Sequence, residues 1–266
     1  MPINAVILGS AFDAPELAGV PLIPHPIATR EGPAVLHRVG RGPGWALVRH
    51  GLPHRYLPHQ IPWRAQALAL AEVGVQALLI TSSVGVMDPG LPLFQPLLVS
   101  DLLMPDNRLA DGTACSVYRE PTPGQGHLVL DEGLCSRGLG DQVRALAAQV
   151  GWPVAAEAVF AYVGGPRSKT PAENRWWAAS GAQINSMSVG PELVLANELE
   201  IPTCAVGVGH KYSGAPGKAQ PMDVPALKRS LVDARAATAR LALAFVEQAR
   251  PVPFGNAIYR YDGTPR

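Results

Sequence analysis

The sequence predicts an α/β fold: a single domain with a central mixed, mainly parallel sheet flanked by helices. Two observations predict it. Short apolar runs alternate along the chain with helical patterns, and several of these runs end in small or polar residues. The length of 266 residues fits one large domain. We expect residues 1–250 to form that domain and residues 251–266 to be a tail that lies along the surface or is partly mobile.

Each expected element has a local signal. A Gly-rich turn at Gly40–Gly44 joins two apolar runs into a strand pair, and Gly74 ends a helical pattern immediately before a buried strand. The predicted strands are residues 5–8, 35–38, 45–48, 75–81, 97–103, 155–163, 182–185 and 203–208. The predicted helices are residues 65–73, 141–150, 172–180, 191–199 and 224–249.

The polar stretch 105–126, rich in Gly, Pro and Asp, predicts a long loop. Loops of this length in a compact domain are often functional, so we expect a lid or a subunit contact.

Composition narrows the class of protein. Hydrophobic residues make up 47% and charged residues 16% of the chain, and the net charge of +1 gives no reason to expect nucleic acid or an anionic membrane as a partner. The three cysteines are too widely spaced to form a metal-binding pair or a disulfide framework. With no signal-peptide pattern and no bilayer-length apolar run, we expect a cytoplasmic protein.

The most informative segment runs from Arg49 to Gln60 and holds two arginines and three histidines. It follows the apolar run 45–48, so its cationic groups gather at the end of a buried strand. This position favours an oxyanion site, in which Arg49 binds with its fork and His50 as a neutral or charged donor. The alternative is a surface arginine beside a hydrogen-bonded loop histidine. His54 and His59 fit a supporting layer or a subunit contact.

Other predicted strands also end in polar side chains, which parallel pairing would bring to the same sheet edge. These ends are Ser10, Thr81-Ser82-Ser83, Ser186-Met187-Ser188 and His210-Lys211. The sequence has no dinucleotide-binding glycine motif, no nucleophile elbow and no zinc motif. The pattern therefore indicates a site that binds an anion and a polar organic molecule side by side, without a metal.

In this order and spacing, the motifs resemble the trimeric nucleoside phosphorylases, the family of purine nucleoside phosphorylase and methylthioadenosine phosphorylase. The resemblance covers residues 5 to 245, and its opening stretch is most like the methylthioinosine phosphorylase branch. The matching segments are Arg49-His50-Gly51-Leu52-Pro53-His54-Arg55, Pro58-His59-Gln60, Trp63-Arg64-Ala65-Gln66, Gly165-Pro166-Arg167 with Ala172-Glu173, and Met187-Ser188 with Pro191-Glu192.

The resemblance implies roles by position. Met187 matches a methionine that packs on the ribose, and His54 matches a histidine near its 5′ end. Residues 222–224 match the region that bounds the 5′ substituent. The matches to phosphate-binding positions are Ser10, Arg49, His50, Ser83 and Ser188, of which Ser83 also borders the ribose.

The positions that read the base depart from the family pattern. Lys169 stands where members that bind 6-oxopurines carry a glutamate, and Ser168 replaces the residue that flanks the base. His210 stands where an asparagine contacts N7, and Lys211 where aminopurine enzymes carry an aspartate. We expect a protonated His210, with a pKa near neutrality, to act as general acid. Lys169 or Lys211 would donate to an exocyclic oxygen, which favours an oxo-base over adenine. The alternative is a decayed base pocket with Lys169 in solvent.

The resemblance implies an enzyme of purine salvage. The expected reaction is phosphorolysis of a purine-type nucleoside, with or without a 5′-methylthio group, to free base and pentose 1-phosphate. Inorganic phosphate is then the co-substrate, no metal or organic cofactor is needed, and a homotrimer is expected. Two alternatives stay open: a family member that binds a nucleoside or nucleotide-like ligand without phosphorolysis, and a nucleoside hydrolase. We also expect Arg49→Ala to lower phosphorolysis strongly and leave the fold intact.

Overall fold

The computed structural model describes residues 2–213 and 224–260, and the statements below concern those residues. The strands are β1 (Asn4–Leu8), β2 (Glu16–Leu17), β3 (Val20–Ile27), β4 (Ala34–Val39), β5 (Trp45–Val48), β6 (Ala77–Val86), β7 (Pro96–Leu103), β8 (Gly126–Val129), β9 (Ala156–Tyr162), β10 (Ile184–Ser186), β11 (Thr203–Tyr212) and β12 (Ala257–Arg260). The helices are α1 (Trp63–Glu72), α2 (Arg137–Gln149), α3 (Pro171–Ala179), α4 (Gly190–Glu198) and α5 (Val224–Gln248), with a 3₁₀ turn at Pro58–Gln60.

Ten strands form one mixed sheet in the order β10-β9-β7-β11-β6-β1-β5-β4-β3-β2. Its centre, β5-β1-β6-β11, is parallel throughout, and β9 is parallel to both of its neighbours. Strand β10 also pairs antiparallel with β6, so β6, β11, β7, β9 and β10 close into a small ring. The predicted single-domain α/β fold is confirmed.

The core lies on both faces of the sheet. Every residue of β1 and β5 is buried, as expected for central strands covered on both sides. On one face, Val143 of α2 and Phe245 of α5 pack in one apolar cluster. On the other face, Leu70 of α1 and Leu193 of α4 pack in a second cluster. Helices therefore cover both faces of the sheet.

Four strands lie where the sequence analysis placed none: the two-residue β2, and β3, β8 and β12. Strand β3 contains three prolines, which argue against a strand, and it is tolerated because it lies near the sheet edge, paired along its length only with β4. Strands β8 and β12 form a separate antiparallel pair. Residues 257–260 of the expected tail are thus an ordered strand.

The long stretch 105–126 packs against α1 and α4. Arg64 on α1 donates hydrogen bonds to the carbonyl oxygens of Ala114 and Ser116 at 2.7 and 2.8 Å. Cys115 and Val117 are buried in an apolar cluster with residues of α1 and α4. The expected long loop exists, and these contacts hold it in place.

Candidate active site

One cavity of about 640 Å³ lies where strands β1, β5, β6, β10 and β11 end. It brings together all eleven residues that the sequence analysis assigned to a site: Ser10, Arg49, His50, His54, Ser83, Ser168, Lys169, Met187, Ser188, His210 and Lys211. Their roles stay predictions. The predicted 5′ boundary at residues 222–224 lies outside the part of the chain whose side chains are described. No residue of the 105–126 stretch lines the cavity, so the expectation of a lid is not supported.

Arg49 is held by a buried carboxylate. Its Nε and Nη2 donate to the two oxygens of Glu192 at 2.6 and 2.7 Å, and Nη2 also donates to the carbonyl oxygen of Thr81 at 3.0 Å. Glu192 lies in the first turn of α4, so the helix orients the guanidinium. Among the described residues, Nη1 of Arg49 has no hydrogen-bond partner. A Cβ on Gly9 would lie 3.0 Å from Nη1, so the glycine leaves the space beside it open. Arg49 can therefore offer Nη1 to an anion, while Glu192 balances its charge.

His50 is fixed in one tautomer by the backbone. Its Nδ1 lies 2.8 Å from the carbonyl oxygen of Tyr56 and donates to it. Burial, aided by the charge of Arg49 and by the stacked ring of His54, lowers the pKa of His50 to about 4, against the opposing hydrogen bond to Tyr56. A neutral His50 presents Nε2 as an acceptor. In this tautomer His50 can accept a proton at Nε2 but cannot donate one from it, which differs from the donor that the sequence analysis expected.

Three serine hydroxyls cluster beside these groups. The Oγ atoms of Ser82, Ser186 and Ser188 lie 3.1 to 3.3 Å from one another. Hydroxyl groups rotate, so each can turn from its neighbour to donate to an anion. Ser82 and Ser186 were noted at strand ends but not assigned to the site. Because each lies within two residues of an assigned serine, position at a strand end was the signal that could have selected them.

The other end of the cavity carries His210 and Lys211. Strand β11 has a bulge between Gly209 and Lys211, so His210 is an extra residue in the pairing with β6. A bulge re-aims side chains, which allows two consecutive residues of one strand to line the same cavity. His210 Nε2 lies 3.1 Å from Ser83 Oγ. Burial lowers the pKa of His210, so the neutral ring replaces the imidazolium that we expected.

Lys169 joins this end from the loop between β9 and α3. It is half-buried, and burial followed by the nearby charge of Lys211 lowers its pKa, while the charge of Glu173 partly opposes the shift. Glu173, the nearest carboxylate by sequence, is bound through both oxygens by Arg167 at 2.7 and 2.9 Å. Lys169 lines the cavity, which contradicts the alternative that this lysine is directed only to solvent. Ser168, the residue before it, is exposed.

Asn185 also lines the cavity and was missed. It is 2% exposed, and its Nδ2 is buried without a hydrogen-bond partner among the described residues. In the sheet, Asn185 pairs with Gly85 on one side, and Lys211 pairs with Gly85 on the other. A Cβ on Gly85 would lie 3.3 Å from Asn185 Oδ1 and 2.4 Å from Ser213 Oγ, so the glycine keeps this part of the cavity open.

The part of the chain that the structure describes holds neither a metal-binding cluster nor a membrane-spanning helix. Residues 2–213 and 224–260 contain no group of three or more His, Cys, Asp or Glu side chains arranged to hold a metal ion. Within the same ranges, no helix has the length and apolar character needed to cross a membrane.

This fold and cavity define an α/β protein that can hold an oxyanion and a polar organic ligand side by side at one sheet edge. The model of the phosphorylase superfamily matches residues 4–247. The chain therefore belongs to the phosphorylase superfamily, and the family expected from the sequence motifs is confirmed.

Curated relatives agree with this assignment. The chain is 34% identical to the probable S-methyl-5′-thioinosine phosphorylase of Methanopyrus kandleri over 66% of either chain. It is 30% identical to the S-methyl-5′-thioadenosine phosphorylase of Mycolicibacterium smegmatis over 69% of this chain and 66% of the relative. It is 29% identical to the 6-oxopurine nucleoside phosphorylase of Pyrococcus furiosus over 65% of either chain. These matches span just under two thirds of each relative's length.

The fold is shared more completely than the sequence. Methylthioadenosine phosphorylase from Schistosoma mansoni superimposes with a TM-score of 0.74 at 19% identity, covering 94% of this chain and 93% of that one.

Proposed function

We propose that the protein is a nucleoside phosphorylase, a pentosyltransferase of purine salvage that converts a purine nucleoside and phosphate to free base and pentose 1-phosphate. The observation that carries this proposal is the single cavity that joins the Arg49–His50–serine group to a polar pocket around His210. The curated relatives named above are phosphorylases of this type.

The proposed phosphate end consists of Arg49 Nη1, His50 Nε2 and the serine hydroxyls. Together they supply donors for the phosphate oxygens and one acceptor for its proton. An oxygen of hydrogen phosphate forms the new bond to C1′ as the C1′–N9 bond breaks and its electron pair moves to the base. Groups held in place before the reaction lower the barrier because they need no reorganisation during it.

The proposed base end stabilises the leaving group. Negative charge builds on the base as the bond breaks, so a donor near N7 stabilises the transition state more than the ground state. His210 has a buried Nδ1 without a partner in the described chain, and a neutral ring can donate from that atom. Lys169 and Lys211 would donate to exocyclic oxygens, so we propose an oxopurine in preference to adenine. Met187 lines the same cavity and would pack on the sugar. A Cβ on Gly165 would lie 2.8 Å from the Sδ of Met187, so this glycine leaves room for the methionine.

The finer parts of the proposal concern assembly and setting. The proposed reaction uses phosphate as co-substrate and no metal or organic cofactor. We propose a homotrimer, supported by Leu57, a 52% exposed leucine that lies between the cavity residues His54 and Pro58. A neighbouring subunit that covered it would also close that side of the cavity. The three free cysteines agree with a cytoplasmic location.

The test is release of free base from a nucleoside panel, measured with and without phosphate. We expect base and pentose 1-phosphate to appear only with phosphate, and inosine to be cleaved faster than adenosine or methylthioadenosine. Release without phosphate would indicate a hydrolase. Thermal stabilisation by nucleosides without turnover would indicate a binding protein. Faster cleavage of the adenine nucleosides would overturn the base preference alone.

A further inference from the structure

Positive charge is distributed unevenly in the cavity. At the phosphate end, the charge of Arg49 is balanced by Glu192, and His50 is neutral at pH 7. At the other end, Lys169 and Lys211 have no ion-pair partner among the described residues. No Asp or Glu side chain is among the described residues that line the cavity. The excess positive charge therefore lies where the base would bind, not where phosphate would.

The same end holds donors that lack acceptors. Asn185 Nδ2 is buried and unpartnered, and it lies across Gly85 from Lys211 in three adjacent strands. One acceptor, Asn174 Oδ1, is also buried without a partner and lines the cavity. Buried donors without acceptors are costly in the free protein, so the complementary ligand brings several oxygen acceptors and one N–H.

We propose that this site selects nucleosides whose base is an anion at neutral pH, the class of 2,6-dioxopurine nucleosides, by pairing the base with Lys169 and Lys211. The inference rests on the proposed phosphorolysis and names its substrate class. An anionic base is a poor leaving group because it gains further negative charge as the C1′–N9 bond breaks. Two ammonium groups offset that charge, and the bound anion in turn relieves the repulsion between the two lysines.

The test compares xanthosine, guanosine and inosine, which share the ribose and the 6-oxo group and differ at position 2. Initial rates are measured at saturating phosphate and pH 7.5. For the wild type, we expect kcat/KM for xanthosine to exceed that for the two neutral nucleosides by at least about tenfold. Lys169→Met and Lys211→Met should each lower kcat/KM for both xanthosine and inosine, because both carry the 6-oxo group, but the loss for xanthosine should be larger by about tenfold or more, so the preference falls. Lys169→Arg should retain the preference.

Lys228→Met is the matched control, since Lys228 is exposed on α5 and does not line the cavity. Thermal midpoints verify that each variant is folded. If inosine is cleaved but xanthosine is no better, or if the lysine variants leave the ratio unchanged, the inference is wrong and the proposed function stands. If no nucleoside is cleaved, the proposed function fails. Calorimetric binding of xanthosine against inosine then decides the inference separately: equal affinity, or no loss in Lys169→Met, overturns it.

Discussion

Arg49 and Glu192 form a two-pronged ion pair, Nε to Oε1 at 2.6 Å and Nη2 to Oε2 at 2.7 Å, between two buried side chains that are 143 residues apart in sequence. Planar fork-to-carboxylate pairing is the strongest geometry available to such a pair. Removing one partner from a buried pair leaves the other charge uncompensated. Arg49 therefore has both a structural and a proposed phosphate-binding role.

Arg49→Ala should lose both roles. We expect phosphorolysis to fall by about 10²-fold or more and the free energy of unfolding to fall by about 3–5 kcal/mol, because Glu192 is left buried and unpaired. From the sequence alone we expected the fold to stay intact; from the buried ion pair we expect a folded but less stable protein. Urea denaturation and steady-state rates measure the two effects.

The double variant Arg49→Met/Glu192→Gln separates them, because it removes both buried charges. It should unfold at a higher urea concentration than Arg49→Ala and remain as inactive. A double variant that is no more stable than the single one would contradict the ion-pair account. Full activity in Arg49→Ala would remove Arg49 from the proposed phosphate site.

The serine cluster should act on phosphate and not on the nucleoside. Ser188→Ala and Ser186→Ala remove hydroxyls from the group in which Oγ atoms lie 3.1 Å apart. Each should raise the KM for phosphate by roughly tenfold, the value of one hydrogen bond to a charged group, with little change in the KM for the nucleoside. Ser100→Ala, exposed on β7, is the control. An equal rise in both KM values would indicate a general distortion of the cavity.

How much of this site was predictable follows from the geometry of parallel strands. Ser10, Arg49 and His210 could be placed together because each follows or ends an apolar run, and such ends meet at one edge. The partner of Arg49 could not be identified, because Glu192 lies in a helix start that propensity alone marks as a cap. Asn185 was missed because an asparagine next to Ser186 has no distinctive pattern of its own.

In the fold, the central strands were predictable since their residues are continuously apolar. Strand β3 was not, because its three prolines carry the opposite local signal and pairing with β4 at the sheet edge overrides it. The bulge at His210 was also beyond sequence reasoning, since it depends on the register between β11 and β6. The electrostatic environment was also not predictable. We expected an imidazolium at His210 because the sequence does not show the burial that lowers the pKa of this ring.

The activity should not depend on a protonated His210. Because burial lowers its pKa below the usual 6.5, the ring is neutral above about pH 7, and kcat should stay level from pH 7 to 8.5. His210→Ala should lower kcat by roughly 10²-fold, the contribution of one positioned proton donor. His25→Ala, an exposed histidine on β3, is the control. The contrary result is a kcat that falls steadily as the pH rises through this range in the wild type but is independent of pH in His210→Ala. It would show that the protonated ring of His210 is the active form.

His50 should make the protein sensitive to acid. Its folded pKa of about 4 lies below its unfolded value of 6.5, so between these pH values the unfolded chain binds more protons. The free energy of unfolding therefore falls as the pH drops from 6.5 towards 4. In His50→Gln, which does not titrate, this fall should be smaller by about 1–2 kcal/mol, allowing for partial solvent screening. Urea denaturation at pH 7, 5.5 and 4.5 measures it, and parallel curves for the two proteins would contradict it.

The variant Gly85→Ala tests whether nucleoside and phosphate bind in different parts of the cavity. A Cβ there would lie 2.4 Å from Ser213 Oγ and 3.3 Å from Asn185 Oδ1, so Gly85→Ala pushes a methyl group between strands whose side chains line the proposed base pocket. The serine cluster, formed by Ser82, Ser186 and Ser188, is not among the groups that this Cβ would contact. We expect the KM for the nucleoside to rise by roughly tenfold, about 1.4 kcal/mol of lost contact, while the KM for phosphate changes less than about threefold.

Gly42→Ala is the matched control for Gly85→Ala. Gly42 is exposed, and a Cβ there makes only an ordinary 3.7 Å contact with the carbonyl oxygen of Val39. It should leave both KM values within about twofold of the wild type. If Gly85→Ala raised the KM for phosphate and spared the nucleoside, the two ends of the cavity would be reversed. Lys169, Lys211 and Asn185 would then surround phosphate, and the neutral Arg49–Glu192 end would receive the base.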